Sequence, residues 1–487
     1  MRSRSFEYLK NSIMFELANK DILVIGLGGR GRAACELLRR SGARVVGVDT
    51  SDTPDLRHSA ESLKPLGIEV ALGVSHPPKG DFSLAVLSPA VPSNEPLVQE
   101  IMQSNVPLIG ELELGFQQSK CLSIAIAGTN GKGTTAELIE RLLVSNQRKT
   151  VLSGHRARPV CSVVEQSKEL DFLILQVNSF QLELTQYFRP AVAVLMNLAP
   201  DHLDRYASAA DYARVHGRLF RNQQTFDWAI IQSEALARLR ELDLPIPAKV
   251  ITFSAHDHEA DITLDRGLLI GRMPNWAGPL LDMDHCQVRG PHNAENLMAA
   301  LAVGHVLRLP LETMVDPMRS YFAGPHRCEI VAEINGVQYN NDAKCTNVDA
   351  LRKSLMSARA KSAAEPNVWL IAGGRNKGLE FHDVGPLLSQ RVKQGLVFGE
   401  ASEKIRAAWS LFTPCKVFES LVEAVNEAAK LASAGDVVLF SPACSSLDQF
   451  RNYQQRGEIF CETVKSISRG ASGETPNAMG KSEEPLK

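Results

Sequence analysis

The stretch Ile124-Ala-Ile-Ala-Gly-Thr-Asn-Gly-Lys-Gly-Thr-Thr-Ala136 decides how the rest of the chain is read. Leu122 to Ala127 is a short apolar run with two isoleucines, which fits a buried strand. Gly128 to Gly133 is a glycine-rich turn with one lysine, and beyond it Leu138, Ile139, Leu142 and Leu143 recur at helical spacing. Strand, glycine loop and helix in that order bind phosphate. The N–H groups at a helix N-terminus face the anion, and the helix dipole favours negative charge there. Lys132 adds a mobile cation. The general loop pattern G-x-x-x-x-G-K-[ST] is broken twice, by Ile126 at the first glycine and Gly133 at the hydroxyl position.

Composition bounds the alternatives. The 487 residues are enough for roughly three domains at about 150 residues each. An apolar fraction of 44% and a charged fraction of 22% are ordinary for a globular protein. A net charge of −2 gives no global attraction to nucleic acid or a membrane surface. No apolar run approaches the roughly 20 residues that span a bilayer. Met1 to Lys20 mixes Arg2, Arg4, Glu7, Lys10 and Glu16 with apolar residues and lacks the apolar core of a secretory signal. Nine cysteines without a C-x-x-C pair argue against a disulfide framework or a zinc site and for a reducing, cytoplasmic setting.

Asp21 to Asp49 reads as a β-α-β unit. Ile22 to Ile25 is a strand, Gly26-Leu-Gly-Gly-Arg-Gly31 turns into a helix with Ala33, Ala34, Leu37 and Leu38, and Arg44 to Val48 is the next strand, closed by Asp49. This fits G-x-G-x-x-G with an acid about 20 residues on, the dinucleotide fingerprint. Alone it says only that a phosphate or ribose approaches a helix N-terminus, and a nicotinamide-dependent dehydrogenase is one reading of it. Further strands are expected at Phe82–Pro89, Asp171–Val177, Ala191–Asn197, Trp228–Ile231, Val368–Ala372, Leu396–Phe398 and Val437–Phe440. A hairpin is expected from Cys328–Ala332 and Gln338–Asn341, and a helix at Leu297–Leu307. Alternating strands and helices predict an α/β fold in three domains. They are a Rossmann-like N-terminal domain (1–118), a central P-loop ATPase-like domain with a mostly parallel sheet (119–324) and a C-terminal Rossmann-like domain (325–468). A disordered tail (469–487) follows.

Six motifs resemble the Mur ligase family, in its D-glutamate-adding branch, over about residues 20 to 466. The most specific is Ser441-Pro-Ala-Cys-Ser-Ser-Leu-Asp-Gln-Phe450 followed by Arg451-Asn-Tyr-Gln-Gln-Arg-Gly457, which is similar to the branch's D-glutamate-binding segment. Asn341-Asp-Ala-Lys-Cys-Thr-Asn347, Gly373-Gly-Arg-Asn-Lys377, Pro325-His-Arg327 and His292-Asn-Ala-Glu-Asn296 match family motifs, and Gly128 to Lys132 matches the ATP loop. The resemblance implies ATP-dependent ligation. A carboxylate of UDP-N-acetylmuramoyl-L-alanine is phosphorylated, the amine of D-glutamate attacks the acyl phosphate, and magnesium assists. It implies no nucleic acid or membrane span and a monomer. By position, Gly128, Thr129, Asn130, Gly131, Lys132, Gly133 and Thr134 bind ATP with Asn293, Asn296, Arg327 and Asp342. Asp49 and Thr50 meet the uridine moiety. Thr346, Lys377, Ser446, Leu447 and Tyr453 form the D-glutamate site, and Lys132, His202 and Lys344 carry the chemistry.

Departures from the family pattern gather on the metal shell, whose candidates are Thr134, Gln176, His202 and His216. Gln176-Val-Asn-Ser-Phe-Gln-Leu-Glu183 has a glutamine where the family has its magnesium-binding glutamate. His216, in Asp211-Tyr-Ala-Arg-Val-His-Gly-Arg-Leu219, stands where the family has a carbamylated lysine. Gly133 replaces the loop hydroxyl, which Thr134 is expected to supply. Gly154-His-Arg-Ala157 replaces a Gly-Asn-x-Gly loop and, with Arg158, adds positive charge, and Gly29-Arg30 replaces an apolar-hydroxyl pair. Magnesium prefers hard oxygen ligands, so these losses raise a second reading, a catalytically weakened relative that binds nucleotide or precursor as a regulator or scaffold.

Overall fold

The apolar runs close into three sheets, seen in a computed structural model that describes residues 16–155, 158–361 and 365–471. In the first, β1 (Asp21–Ile25), β2 (Arg44–Asp49), β3 (Glu69–Leu72), β4 (Leu84–Leu87) and β5 (Leu108–Gly110) lie parallel in the order β3-β2-β1-β4-β5. Side chains alternate across the sheet: Ile22 and Val24 join one buried cluster, Leu23 and Ile25 the other. Burial on both faces explains why β1 is apolar from Ile22 to Ile25 instead of alternating.

The second sheet holds β6 (Leu122–Ala127), β7 (Thr150–Gly154), β8 (Phe172–Gln176), β9 (Val192–Leu195), β10 (Trp228–Gln232) and β11 (Lys249–Ser254), with β12 (Ile262–Asp265), β13 (Leu268–Met273) and β14 (Trp276–Asp282) at one edge. The order is β14-β13-β12-β11-β10-β9-β6-β8-β7, parallel except for the β12-β13-β14 meander. β6 is hydrogen-bonded to β8 and β9 on its two sides, so the glycine loop leaves from the middle of the sheet. The third sheet runs β15-β16-β20-β17-β18-β19, with β15 (Glu329–Ile334) antiparallel to β16 (Val337–Asn341). β17 (Val368–Gly373), β18 (Val392–Phe398), β19 (Cys415–Phe418) and β20 (Val437–Ala443) are parallel.

The three-domain α/β architecture expected from the sequence is present. The chain divides into two compact units. One holds the first two sheets and runs to Tyr321 without Pro200–Ala207; the other holds Pro200–Ala207 and the third sheet. The β12–β14 meander was not expected, because its short strands carry exposed polar and glycine positions that break the apolar pattern. The last helix, Tyr453–Ala471, continues past 469. Residues 472–487 of the expected tail, Met1–Phe15 of the N-terminal stretch, and Arg156 and Ala157 lie outside the described residues. No helix among the described residues is long and apolar enough to cross a membrane.

The terminal helix is held by aromatic packing. Phe460 is fully buried and stacks on Phe440 of β20, with ring centroids 5.0 Å apart and planes 20° apart. Truncating such a ring leaves a cavity that the neighbours fill only partly. Phe460→Ala is expected to lower the unfolding free energy of this unit by about 3–5 kcal/mol, measured by denaturant titration; a loss below about 1 kcal/mol would contradict this packing.

Candidate functional site

The glycine loop is built from both sides of β6. Gly131 opens the helix Lys132–Ser145 at φ 87°, and no side chain caps that first turn. A Cβ on Gly131 would lie 2.5 Å from Asn296 Oδ1, so the close approach requires glycine. Thr135 Oγ1 donates to Asn296 Oδ1 (3.1 Å), Asn296 Nδ2 donates to Asn293 Oδ1 (3.1 Å), and Asn293 Nδ2 donates to the Arg289 carbonyl (2.8 Å). Asn293 and Asn296 therefore do not cap their own helix. They form an amide chain bracing the loop, and Asn296 is buried. Opposite, Asn130 N–H donates to Asn197 Oδ1 (2.8 Å) and Asn197 Nδ2 returns a bond to the Asn130 carbonyl (3.1 Å). Lys132 Nζ folds back onto the carbonyls of Gly128 (2.5 Å) and Thr129 (2.9 Å), holding the ammonium at the loop.

Thr134 is buried in the helix's first turn, and Gly133 precedes it, partly exposed. Gln176 ends β8 and is buried. His216 is also buried. Its Nδ1 lies 3.0 Å from the Tyr212 carbonyl, an acceptor only, which assigns the proton to Nδ1. The ring packs edge-on against Tyr212, whose hydroxyl is 3.2 Å from Thr129 Oγ1, so His216 supports the loop through Tyr212. Among the described residues no group of three or more His, Cys, Asp or Glu side chains is arranged to hold a metal ion.

On the first sheet, Asp49 is buried at the end of β2. It accepts from Leu27 N–H (2.7 Å) and Ser51 N–H (3.0 Å), so its carboxylate fixes the first glycine turn. Thr50 beside it is half-buried. Arg30 reaches the Gly154 carbonyl at 3.5 Å.

The second unit gathers the remaining candidates. Lys377 Nζ pairs with Asp201 Oδ1 at 3.1 Å, their side chains only 13% and 7% exposed, and Asn347 Nδ2 donates to Asp201 Oδ2 (3.1 Å). Burial works to raise the Asp201 carboxyl, but Lys377, His202 and Asn347 overcome it and hold it below the usual range. His202 sits on the same turn at φ 54°, its Nε2 3.9 Å from Asp201. Asp342 is buried. Its carboxylate accepts from Ser441 Oγ (3.1 Å), Cys328 N–H (3.2 Å) and Ser354 Oγ. Burial, offset in part by these donors, lifts its pKa to about 6. Lys344 Nζ stands 5.8 Å from the centroid of the Tyr453 ring, which also meets His326 edge-on. Thr346 and Arg327 are half-buried, Ser446 is buried and Leu447 is 58% exposed. Sequence reasoning missed Asp201, Asn347 and Arg456. Asp201 lies 176 residues from Lys377, and no local pattern announces that pairing.

Models of known families match two stretches, the "Mur ligase middle domain" at residues 126–304 and the "Mur ligase, glutamate ligase domain" at residues 326–444. The UDP-N-acetylmuramoylalanine--D-glutamate ligase of Acidobacterium capsulatum is 37% identical over 470 residues, covering 94% of this chain and 98% of that one. The ligase of the same name from Alkaliphilus metalliredigens is 35% identical over 461 residues, covering 93% and 100%. Among solved structures, the UDP-N-acetylmuramate-alanine ligase MurC of Thermotoga maritima shares the fold with a TM-score of 0.57 at 18% identity, covering 92% of this chain and 100% of that one. The MurF ligase of the same organism, solved in complex with ADP, gives a TM-score of 0.58 at 17% identity, covering 93% and 96%.

Asp342 yields a pH test. Its folded pKa of about 6 lies above the ordinary value of 3.8, so between those values the folded chain holds a proton that the unfolded chain has lost. Stability contributed by this group is present at low pH and lost as pH rises through that window, a difference of about 3 kcal/mol. Wild-type unfolding free energy, measured relative to Asp342→Asn, is expected to fall between about pH 4 and 6 and to level off above. A flat difference across the window would refute the raised carboxyl.

Proposed function

Because the chain belongs to the Mur ligase family, we propose that it is an ATP-dependent ligase that adds D-glutamate to UDP-N-acetylmuramoyl-L-alanine, in cytoplasmic synthesis of peptidoglycan precursors. The observation that carries this reading is the end-to-end match to ligases of that name, at 37% and 35% identity. The pairing of Lys377 with Asp201 inside the second unit supports it.

In this reading an oxygen of the alanyl carboxylate attacks the γ-phosphorus of ATP, and the bond to the β-phosphate oxygen breaks, releasing ADP. The amine of D-glutamate attacks the acyl phosphate carbon and loses a proton. The tetrahedral intermediate collapses, expelling inorganic phosphate and leaving an amide. Two anions must approach each other, so catalysis is chiefly charge neutralisation and alignment. Lys132 would exchange two neutral carbonyls for β- and γ-phosphate oxygens, a gain because charge-assisted bonds are the stronger. Lys344, steadied over the Tyr453 ring, would stand beside the reacting groups. Lys377 would leave Asp201 for a carboxylate of the amino acid. Thr50 is the half-buried group beside the first glycine turn for the uridine moiety.

Magnesium belongs to the family's chemistry, but the residues here do not form a protein cage for it. Gln176 supplies an amide and His216 an imidazole whose Nδ1 faces a carbonyl, where hard carboxylate oxygens would suit the ion. No step above runs through a protein-held metal. The same substitutions favour the second reading, a nucleotide- or precursor-binding regulator.

Purified protein with UDP-N-acetylmuramoyl-L-alanine, D-glutamate, ATP and a divalent metal is expected to release phosphate only when all substrates are present. No turnover with any metal would sink the ligase and leave the binding reading, which calorimetry with ATP and the precursor then decides. Lys132→Ala is expected to lower kcat/KM at least about a hundredfold. Gln176→Glu is expected to raise activity or metal affinity if the shell is merely weakened; an unchanged or poorer variant means that the site is rebuilt around glutamine.

A further inference from the structure

We propose that Arg456 is the positioning residue of the amino-acid site: one buried guanidinium that fixes the spacing of the three loops bearing Lys344, Lys377 and Ser446. The proposal rests on the reading above only for the identity of the amino acid. Arg456 is 0% exposed. Its Nη2 donates to the carbonyls of Ala343 (3.0 Å) and Cys444 (3.0 Å), and its Nη1 to the carbonyl of Gly373 (3.4 Å). Ala343 directly precedes Lys344, Cys444 stands two residues before Ser446, and Gly373 stands four before Lys377. A single planar group therefore sets three main-chain positions from which the candidate side chains project.

The arrangement is costly and tight. No carboxylate hydrogen-bonds to Arg456 among the described residues, its Nε has no protein partner there, and burial pulls its pKa down to about 10. A buried cation that hydrogen-bonds only to carbonyls, with the Phe440 ring centroid 6.0 Å from its guanidinium carbon, could be replaced at little cost by an apolar side chain if packing alone mattered. Lysine would keep the charge, but as a point donor it lacks the fork that spans separate acceptors. The loops also touch one another. Arg375 and Ser445 exchange main-chain hydrogen bonds of 2.9 and 3.0 Å. Gly374, at φ 129°, leaves no room for a Cβ, which would sit 2.2 Å from the Ser445 carbonyl oxygen and 3.0 Å from Arg456 Nη1. Displacing the guanidinium must therefore shift more than one loop, and the amino-acid site should feel this before the glycine loop of the other unit does.

The test measures KM for D-glutamate and for ATP separately, with kcat and the melting temperature, in Arg456→Lys and Arg456→Ala. Arg456→Lys is expected to raise the D-glutamate KM about tenfold or more while the ATP KM stays within about twofold, from losing hydrogen bonds to a charged group. Arg456→Ala should lose more and recover in part with guanidinium ion below denaturing concentrations, which should not stimulate the wild type. Wild-type behaviour of Arg456→Lys would overturn the proposal, as would parallel rises in both KM values with a lowered melting temperature and no guanidinium rescue. If Arg456→Ala does not fold, Arg456→Lys decides. If the wild type uses, or only binds, another amino acid, the D-glutamate reading fails, and the same selective loss for that amino acid, by kinetics or calorimetry, still tests the clamp.

Discussion

Parallel strands covered on both faces leave only their ends for chemistry, and that constraint organises this protein. β6 ends in the glycine loop, β8 in Gln176 and β2 in Asp49. In the third sheet β16 runs into Asp342 and Lys344, β17 into the loop of Lys377, and β20 into that of Ser446. All are carboxyl ends, where open α/β sheets bind ligands. The strand interiors contribute burial alone, which is why they read as continuous apolar runs.

Strand ends are loops, and loops need holding. Each set is fixed by contacts that neither sheet hydrogen bonds nor apolar burial would provide. The glycine loop is braced by amides, Asn197 on one side and the Asn296–Asn293 chain on the other. Neutral amides can donate and accept without adding charge beside a phosphate. The loops of the third sheet are held by ionised groups, the Asp201–Lys377 pair and the Arg456 guanidinium. A lysine paired in the free protein is ordered before substrate arrives, and a competing carboxylate must displace Asp201 to use it. If Lys377 receives the amino acid's carboxylate as proposed, part of the binding energy would be spent on exchange, in return for a site already in register.

This difference explains what the sequence revealed. Glycine loops, apolar strands and the charged residues just past them are local patterns, so β1, β6, β8, β9, β17 and β20 and their end residues were legible. Lys132 was legible for the same reason, and Lys344 and Lys377 were singled out through the motifs of the family resemblance. Their partners were not. Arg456 meets Ala343 across 113 residues, Asp342 meets Ser441 across 99, and Thr135 meets Asn296 across 161. The family resemblance assigns Asn296 and Asp342 to the nucleotide. In the fold both are buried and engaged with protein groups. The side chain's type was readable; its direction depends on which element packs opposite.

The substitutions that the family resemblance places on the metal shell change charge as much as ligand count. In the proposed reading, Gln176 and His216 stand where the family resemblance places a glutamate and a carbamylated lysine, so two negative charges would be absent near the nucleotide. A divalent cation in that setting neutralises protein carboxylates as well as phosphate. Without those carboxylates, more of the proposed attraction between Lys132 and a nucleotide would be left uncancelled, and a metal arriving with ATP would depend more on the nucleotide's own oxygens. The same change weakens fixed coordination, which aligns the transferred phosphoryl group as well as neutralising it. Neutralisation and alignment are thus separable here. In the proposed reading Lys132 and the loop would supply the first, and alignment would fall to the braces behind the loop, His216 among them, through Tyr212 and Thr129.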